Sequence, residues 1–180
     1  VSVGHEASVS RIGEEQLSAL RSCAIPIYFT IGNHERYEDL DAILQCLERL
    51  GVTVLRSRTV THGAVQLIGI DDSEYPSQVE RELAKLQIDT DRFVLLLYHR
   101  PRGLAAAAAA GVDLMICGLT HNGQIVPFIL VVRRVFEQTV GLFRDGLTQL
   151  YVSPGTGTWG PVMRLGSRGE VTLFEVRPLT

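Results

Sequence analysis

What this chain of 180 residues lacks narrows its class first. It has no apolar run of the roughly 18 residues that a membrane-crossing helix needs. Its longest run, 125–132, is interrupted by Pro127 and followed at once by Arg133 and Arg134. It has no excess of positive charge: 17 Lys and Arg against 20 Asp and Glu give a formal net charge of −3, with the signs interspersed. No basic face is therefore expected to grip a nucleic-acid backbone, which excludes nucleic acid as a main partner. Cysteine is scarce and odd in number. Cys23, Cys46 and Cys117 each lie in an apolar periodic segment, which predicts buried free thiols and a reducing compartment. There is no Gly-x-Ser-x-Gly elbow and no reactive Cys-His signature. Gly155, Gly157 and Gly160 around Trp159 do not have Walker or dinucleotide spacing, so they read as a turn near a site. Initiator methionine and signal peptide are also missing, and Val1 already stands in an apolar run. This predicts a start within a longer protein.

What is present is a set of short apolar runs, each stopped by a polar turn. Residues 27–31 end in Gly32-Asn33-His34-Glu35, residues 93–98 in His99-Arg100-Pro101, and residues 112–117 in Gly118-Leu119-Thr120-His121. Runs of this length and composition read as strands buried on both faces. Ligands bind at the carboxyl ends of strands in open α/β sheets, so three strands are expected to bring a histidine each to one rim. Residues 39–50 carry Leu40, Ile43, Leu44, Leu47 and Leu50 on one helical face, with Gly51 as the stop. Ile12, Leu17, Leu20 and Ala24 suggest an earlier helix, and residues 79–86 another. The six consecutive alanines within 103–111 predict a short helix lying close against a sheet. Residues 1–4, 52–55, 59–61 and 65–70 read as strands. Beyond Gln124 the pattern predicts hairpins in place of helices: 139–143, a turn at Asp145-Gly146, 148–153, and 170–176. The chain has 46% hydrophobic residues, no fixed-period repeat and no divisive linker, so a single α/β domain over 1–180 is expected, a βαβ half followed by a second stacked sheet.

Each candidate site residue has two readings in isolation. Asn33 and His34 offer an oxygen and an imidazole suited to a divalent ion, or form an Asx-type turn that closes a strand. His99 and His121 serve a structural role as readily as ligation. Asp71 and Asp72 are carboxylate ligands or a helix cap. Glu35 reads as a loop carboxylate that orients its neighbours, and His62 as a turn residue between edge strands. Convergence of several metal-capable groups at strand ends is what points to a site.

Together, Gly32-Asn33-His34-Glu35, His99-Arg100-Pro101 and Gly118-Leu119-Thr120-His121-Asn122-Gly123-Gln124 resemble the motifs of the calcineurin-like metallophosphoesterases. The run from Tyr151 to Gly160, with Val162-Met163-Arg164-Leu165-Gly166 and Glu170-Val171-Thr172-Leu173, is similar to the small bacterial branch of that superfamily. The resemblance spans essentially the whole chain. It implies two stacked mixed β-sheets flanked by helices, an α/β/β/α sandwich. It also implies two divalent metal ions (Mn, Fe, Zn or Mg) and a bridging hydroxide that attacks phosphorus. By the same resemblance Asn33 and His99 are ligands of the second metal and His121 of the first, and His5 stands at the bridging position. His34 is the catalytic residue at the phosphate or leaving group, and Asn122 and Gly123 are substrate-binding. Three features depart from the family pattern. Leu119 stands where Gly-His-x-His carries a ligand, Gly4-His5 where the family has Gly-Asp, and the Asp-x-His motif and first strand would lie before Val1. Two functions follow. One is a metal-dependent phosphoesterase acting on a phosphodiester or pyrophosphate, with a small phosphorylated compound as partner. The other is a degenerate, metal-poor member serving as a binding or scaffold module. The expected location is cytoplasmic, or at a membrane through a segment upstream of Val1.

Overall fold

Side-chain alternation along the strands assigns the layers in this computed structural model, which describes residues 17–177. The expected strand at 1–4, the start of the first helix and His5 lie outside the described residues. β1 (Ile27–Phe29) and β2 (Val52–Val54) pair in parallel as a two-stranded sheet. The second sheet has six strands: β3 (Arg58–His62), β4 (Val65–Ile70), β5 (Phe93–Tyr98), β6 (Leu114–Cys117), β7 (Gly141–Asp145) and β8 (Thr148–Val152). Their order is β3-β4-β5-β6-β8-β7; the four inner strands run parallel, and β3 and β7 are antiparallel edges.

One face of the six-stranded sheet carries Ile68, Ile70, Val94, Leu96, Tyr98, Met115, Leu150 and Val152. Against it pack Val79 and Leu83 of α2 (Gln78–Leu83) and Ala107 of α3 (Leu104–Ala109), while α1 (Leu40–Arg49) covers the smaller sheet. The other face carries Leu67, Leu97, Leu95 and Ile116, which meet Tyr28 of β1 and Leu55, the residue after β2. The far side of that small sheet is closed by Ile43, Cys46, Leu47 and Leu50 against Phe29, Val52 and Val54. The layers are therefore helix, sheet, sheet, helix, as the sandwich expectation required. The two layers approach closely at Gly69, where a Cβ would lie 2.2 Å from the Leu55 Cβ.

Several expectations need correction. The expected common rim is divided between the sheets, with β1 in the smaller one and β5 and β6 in the larger. Helices do not end at Gln124, because α4 spans Phe128–Val135. Its inward residues Ile129, Val132 and half-buried Phe136 recur at helical intervals that the β-branched composition of 125–132 masks. Residues 170–176 join neither sheet: β8 is already paired on both edges, and Val171 and Leu173 face solvent. Cys46 and Cys117 are buried free thiols, but Cys23 is exposed, since the expected helix around it is only a 3-10 turn, Ser18–Ser22. Among the described residues no helix is long and apolar enough to cross a membrane.

Candidate active site

Parallel pairing in register puts the carboxyl ends of β4, β5, β6 and β8 side by side at Ile70, Tyr98, Cys117 and Val152. The end of β1 is stitched to the same rim. Thr30 Oγ1 donates to the Ile70 carbonyl at 3.0 Å, and the Asp72 N–H donates to the Ile31 carbonyl at 3.0 Å. The turn after β5 is tied to that after β6, because the amides of Gly118 and Leu119 both donate to the His99 carbonyl at 3.1 Å.

This stitching brings Asn33 and His99 into contact: Asn33 Oδ1 and His99 Nε2 are 2.8 Å apart. His34 follows in the 3-10 turn His34–Tyr37, with its Nε2 3.5 Å from Asn33 Nδ2 and its ring edge-on to Tyr37. His99 is 5% exposed, and burial pushes its pKa down to about 3, with the charges of His121, His34 and Arg100 acting in the same direction. Its imidazole is therefore neutral, and among the described residues its buried Nδ1 has no hydrogen-bond partner. Glu35 is buried and accepts from the Gly32 amide at 2.7 Å, which braces the turn that presents Asn33.

His121 enters from the 3-10 turn His121–Gly123. Here His121, Asn122, Gly123 and Gln124 have φ values of 48°, 49°, 69° and 52°, a left-handed run that only glycine adopts without strain. Gly123 is required there for a second reason: a Cβ would meet the Ile129 Cα at 2.3 Å. Its N–H donates to the Thr120 carbonyl at 2.9 Å. Among the described residues the buried Asn122 Oδ1 has no hydrogen-bond partner.

Sequence reasoning did not single out the groups that hold this turn. Arg164 donates to the carbonyls of Pro154, Gly157 and His121, and Ser167 Oγ donates to the His121 carbonyl at 3.1 Å. Gln124 Nε2 donates to the Trp159 carbonyl at 2.7 Å, and the Trp159 N–H donates back to Gln124 Oε1, which fixes the Gly-rich loop beside the site. Asp72 is neither a cap nor a free ligand: it is 1% exposed and grips Arg100 through two hydrogen bonds, of 2.8 and 3.1 Å. Asp71 pairs with Arg56 at 3.0 Å. His62, exposed at the β3–β4 hairpin, lies at the opposite end of the sheet, opposite Val65. Only the short reach of these pairs in space reveals them; no spacing in sequence does.

A groove of about 710 Å³ opens beside Asn33, lined by Arg36, Tyr37, Tyr75, Asp72 and Arg100 among others. Among the described residues nothing pairs with the Arg36 guanidinium, so it is a cation available to a phosphate. The metal expectation meets a limit. Among the described residues no three His, Cys, Asp or Glu side chains cluster closely enough to hold an ion. Leu119, half-buried on the rim, offers no donor side chain. The described residues on their own do not fit a pair of ions.

The chain is 29% identical over 182 residues to an uncharacterized metallophosphoesterase of Helicobacter pylori, covering 92% of this chain and 49% of the relative. It is 32% identical to a transmembrane protein with metallophosphoesterase domain from Danio rerio, covering 91% and 44%. It is 30% identical to the phosphodiesterase YaeI of Escherichia coli, covering 89% and 61%. The chain thus spans about half the length of the curated relatives it matches. No family model matches it, and no solved structure does.

Proposed function

The chain belongs to the calcineurin-like metallophosphoesterase superfamily, and from that premise we propose that it is a phosphoric ester hydrolase that requires a divalent metal and acts on a phosphodiester or pyrophosphate. Asn33, His99 and His121 are the residues this chain contributes toward metal, and His34 is the group beside the phosphoryl or leaving oxygen. The observation that carries the reading is the 2.8 Å contact between Asn33 and His99, residues 66 positions apart, with His99 held neutral by burial. Neutral imidazole is the form that ligates a cation, and an oxygen and a nitrogen side by side suit a shared cation as well as a shared proton. A divalent ion, when bound, neutralises charge on a phosphoryl group.

The chain's own residues supply the rest. The Asn33 amide faces both imidazoles, Oδ1 toward His99 and Nδ2 toward His34, so one side chain orients both rings. His34, whose ring lies beside that amide, is the group placed toward a phosphoryl or leaving-group oxygen. Arg36 offers a second positive contact from the groove.

The shortage of ligands favours a second reading, a binding or scaffold module on the phosphoesterase fold. Assay of bis(4-nitrophenyl) phosphate with added Mn²⁺ separates the two. The hydrolase reading expects turnover that EDTA abolishes and that Asn33→Ala or His121→Ala lowers by about tenfold or more. Turnover by the wild type no greater than by Asn33→Ala contradicts it and leaves the module.

A further inference from the structure

Two segments of the chain form an apolar surface on the outside of the fold. On α4 the outward residues Phe128, Leu130, Val131 and Val135 are 44%, 64%, 52% and 64% exposed. On the loop before residue 166, Trp159, Val162, Met163 and Leu165 are similarly open, Val162 most at 82%. The two segments are one surface. Phe128 stacks on Trp159 at 5.9 Å, the Val126 amide donates to the Leu165 carbonyl at 2.9 Å, and the Leu165 amide donates to the Gln124 carbonyl at 2.9 Å. Scattered apolar residues on a surface need no explanation, but a contiguous patch with paired aromatics does.

The charge around this patch identifies what covers it. Residues 125–136 and 157–169 contain Arg133, Arg134, Arg164 and Arg168 and no Asp or Glu, in a chain whose net charge is −3. Arg133 and Arg134 are exposed in the last turn of α4, and among the described residues neither pairs with an acid. Arg164 is held by backbone carbonyls and the Ser167 hydroxyl, and among the described residues no carboxylate pairs with it. The next acids along the chain, Glu137 and Glu170, each directly follow these segments, so the two stretches with them carry four arginines against two glutamates. Aromatic and aliphatic side chains rimmed by unneutralised arginines match the interfacial zone of a bilayer that carries anionic headgroups. We infer that the face formed by α4 and residues 159–165 docks on the surface of an anionic phospholipid membrane, without crossing it. The inference does not depend on hydrolysis.

The test is co-sedimentation of the wild-type chain with vesicles of phosphatidylcholine alone or of phosphatidylcholine with a quarter phosphatidylglycerol. Binding is expected to the anionic vesicles, about tenfold weaker to the neutral ones, and weakened by 0.5 M salt. Leu130→Glu with Val131→Glu, and separately Arg133→Glu with Arg134→Glu, should each reduce binding about tenfold or more. Leu147→Glu, at a turn residue that is 96% exposed outside the patch, should not change it. Three results overturn the inference: no binding of the wild type to anionic vesicles, binding that survives the Leu130 and Val131 changes, or a dimer without lipid affinity that those changes dissociate.

Discussion

Asp71 and Asp72 stand side by side after β4 and meet different physics. Asp71 pairs with Arg56, whose side chain is 49% exposed, so solvent screens the attraction and the pair contributes about 0–1 kcal/mol. Asp72 is 1% exposed and grips an Arg100 side chain that is itself only 11% exposed. Removing one partner of a buried pair strands the other charge and costs about 3–5 kcal/mol. Urea unfolding should therefore show Asp72→Ala destabilised by roughly 3 kcal/mol and Asp71→Ala by less than about 1 kcal/mol. Equal costs would mean that Arg100 finds compensation, for which Glu74 at 3.7 Å is the candidate. The Asn33–His99 meeting was legible because each residue ends a recognisable apolar run. The Asp72–Arg100 pair was not, since two oppositely charged residues 28 positions apart carry no local signal.

At the scale of elements, helix α1 was readable because its leucines repeat at helical intervals and Asp39 caps it, accepting from the Ala42 amide at 3.0 Å. Helix α4 was not, because Ile, Leu and Val in a row fit a buried strand as well as a helix, and the buried pair Ile129 and Val132 shows its period only once the neighbours are in place. Strand β4 carries a constraint of a third kind. Its Gly69 lets the two sheets close on Leu55, so Gly69→Ala forces them apart and should cost about 1–3 kcal/mol by urea unfolding. Gly118→Ala, where a Cβ meets nothing within 4 Å, should cost less than about 1 kcal/mol. A Gly69→Ala protein as stable as the wild type would show that the sheets can separate freely.

For the whole molecule, the two-sheet architecture and the common rim were legible, but the division of strands between sheets was not. Pairing partners depend on which edges remain free, as residues 170–176 illustrate by lying beside a β8 already paired on both sides. Stacking the sheets sets the end of β1 beside those of β4, β5 and β6, and the candidate site is proposed where they meet. Binding of Mn²⁺ by equilibrium dialysis, on the wild type and on Asn33→Ala, His99→Ala and His121→Ala, examines that meeting point directly. If Asn33 and His99 face one cation and His121 an adjacent one, the wild type retains Mn²⁺ and each variant binds it about tenfold or more weakly. Wild-type affinity in all three variants would contradict a shared site.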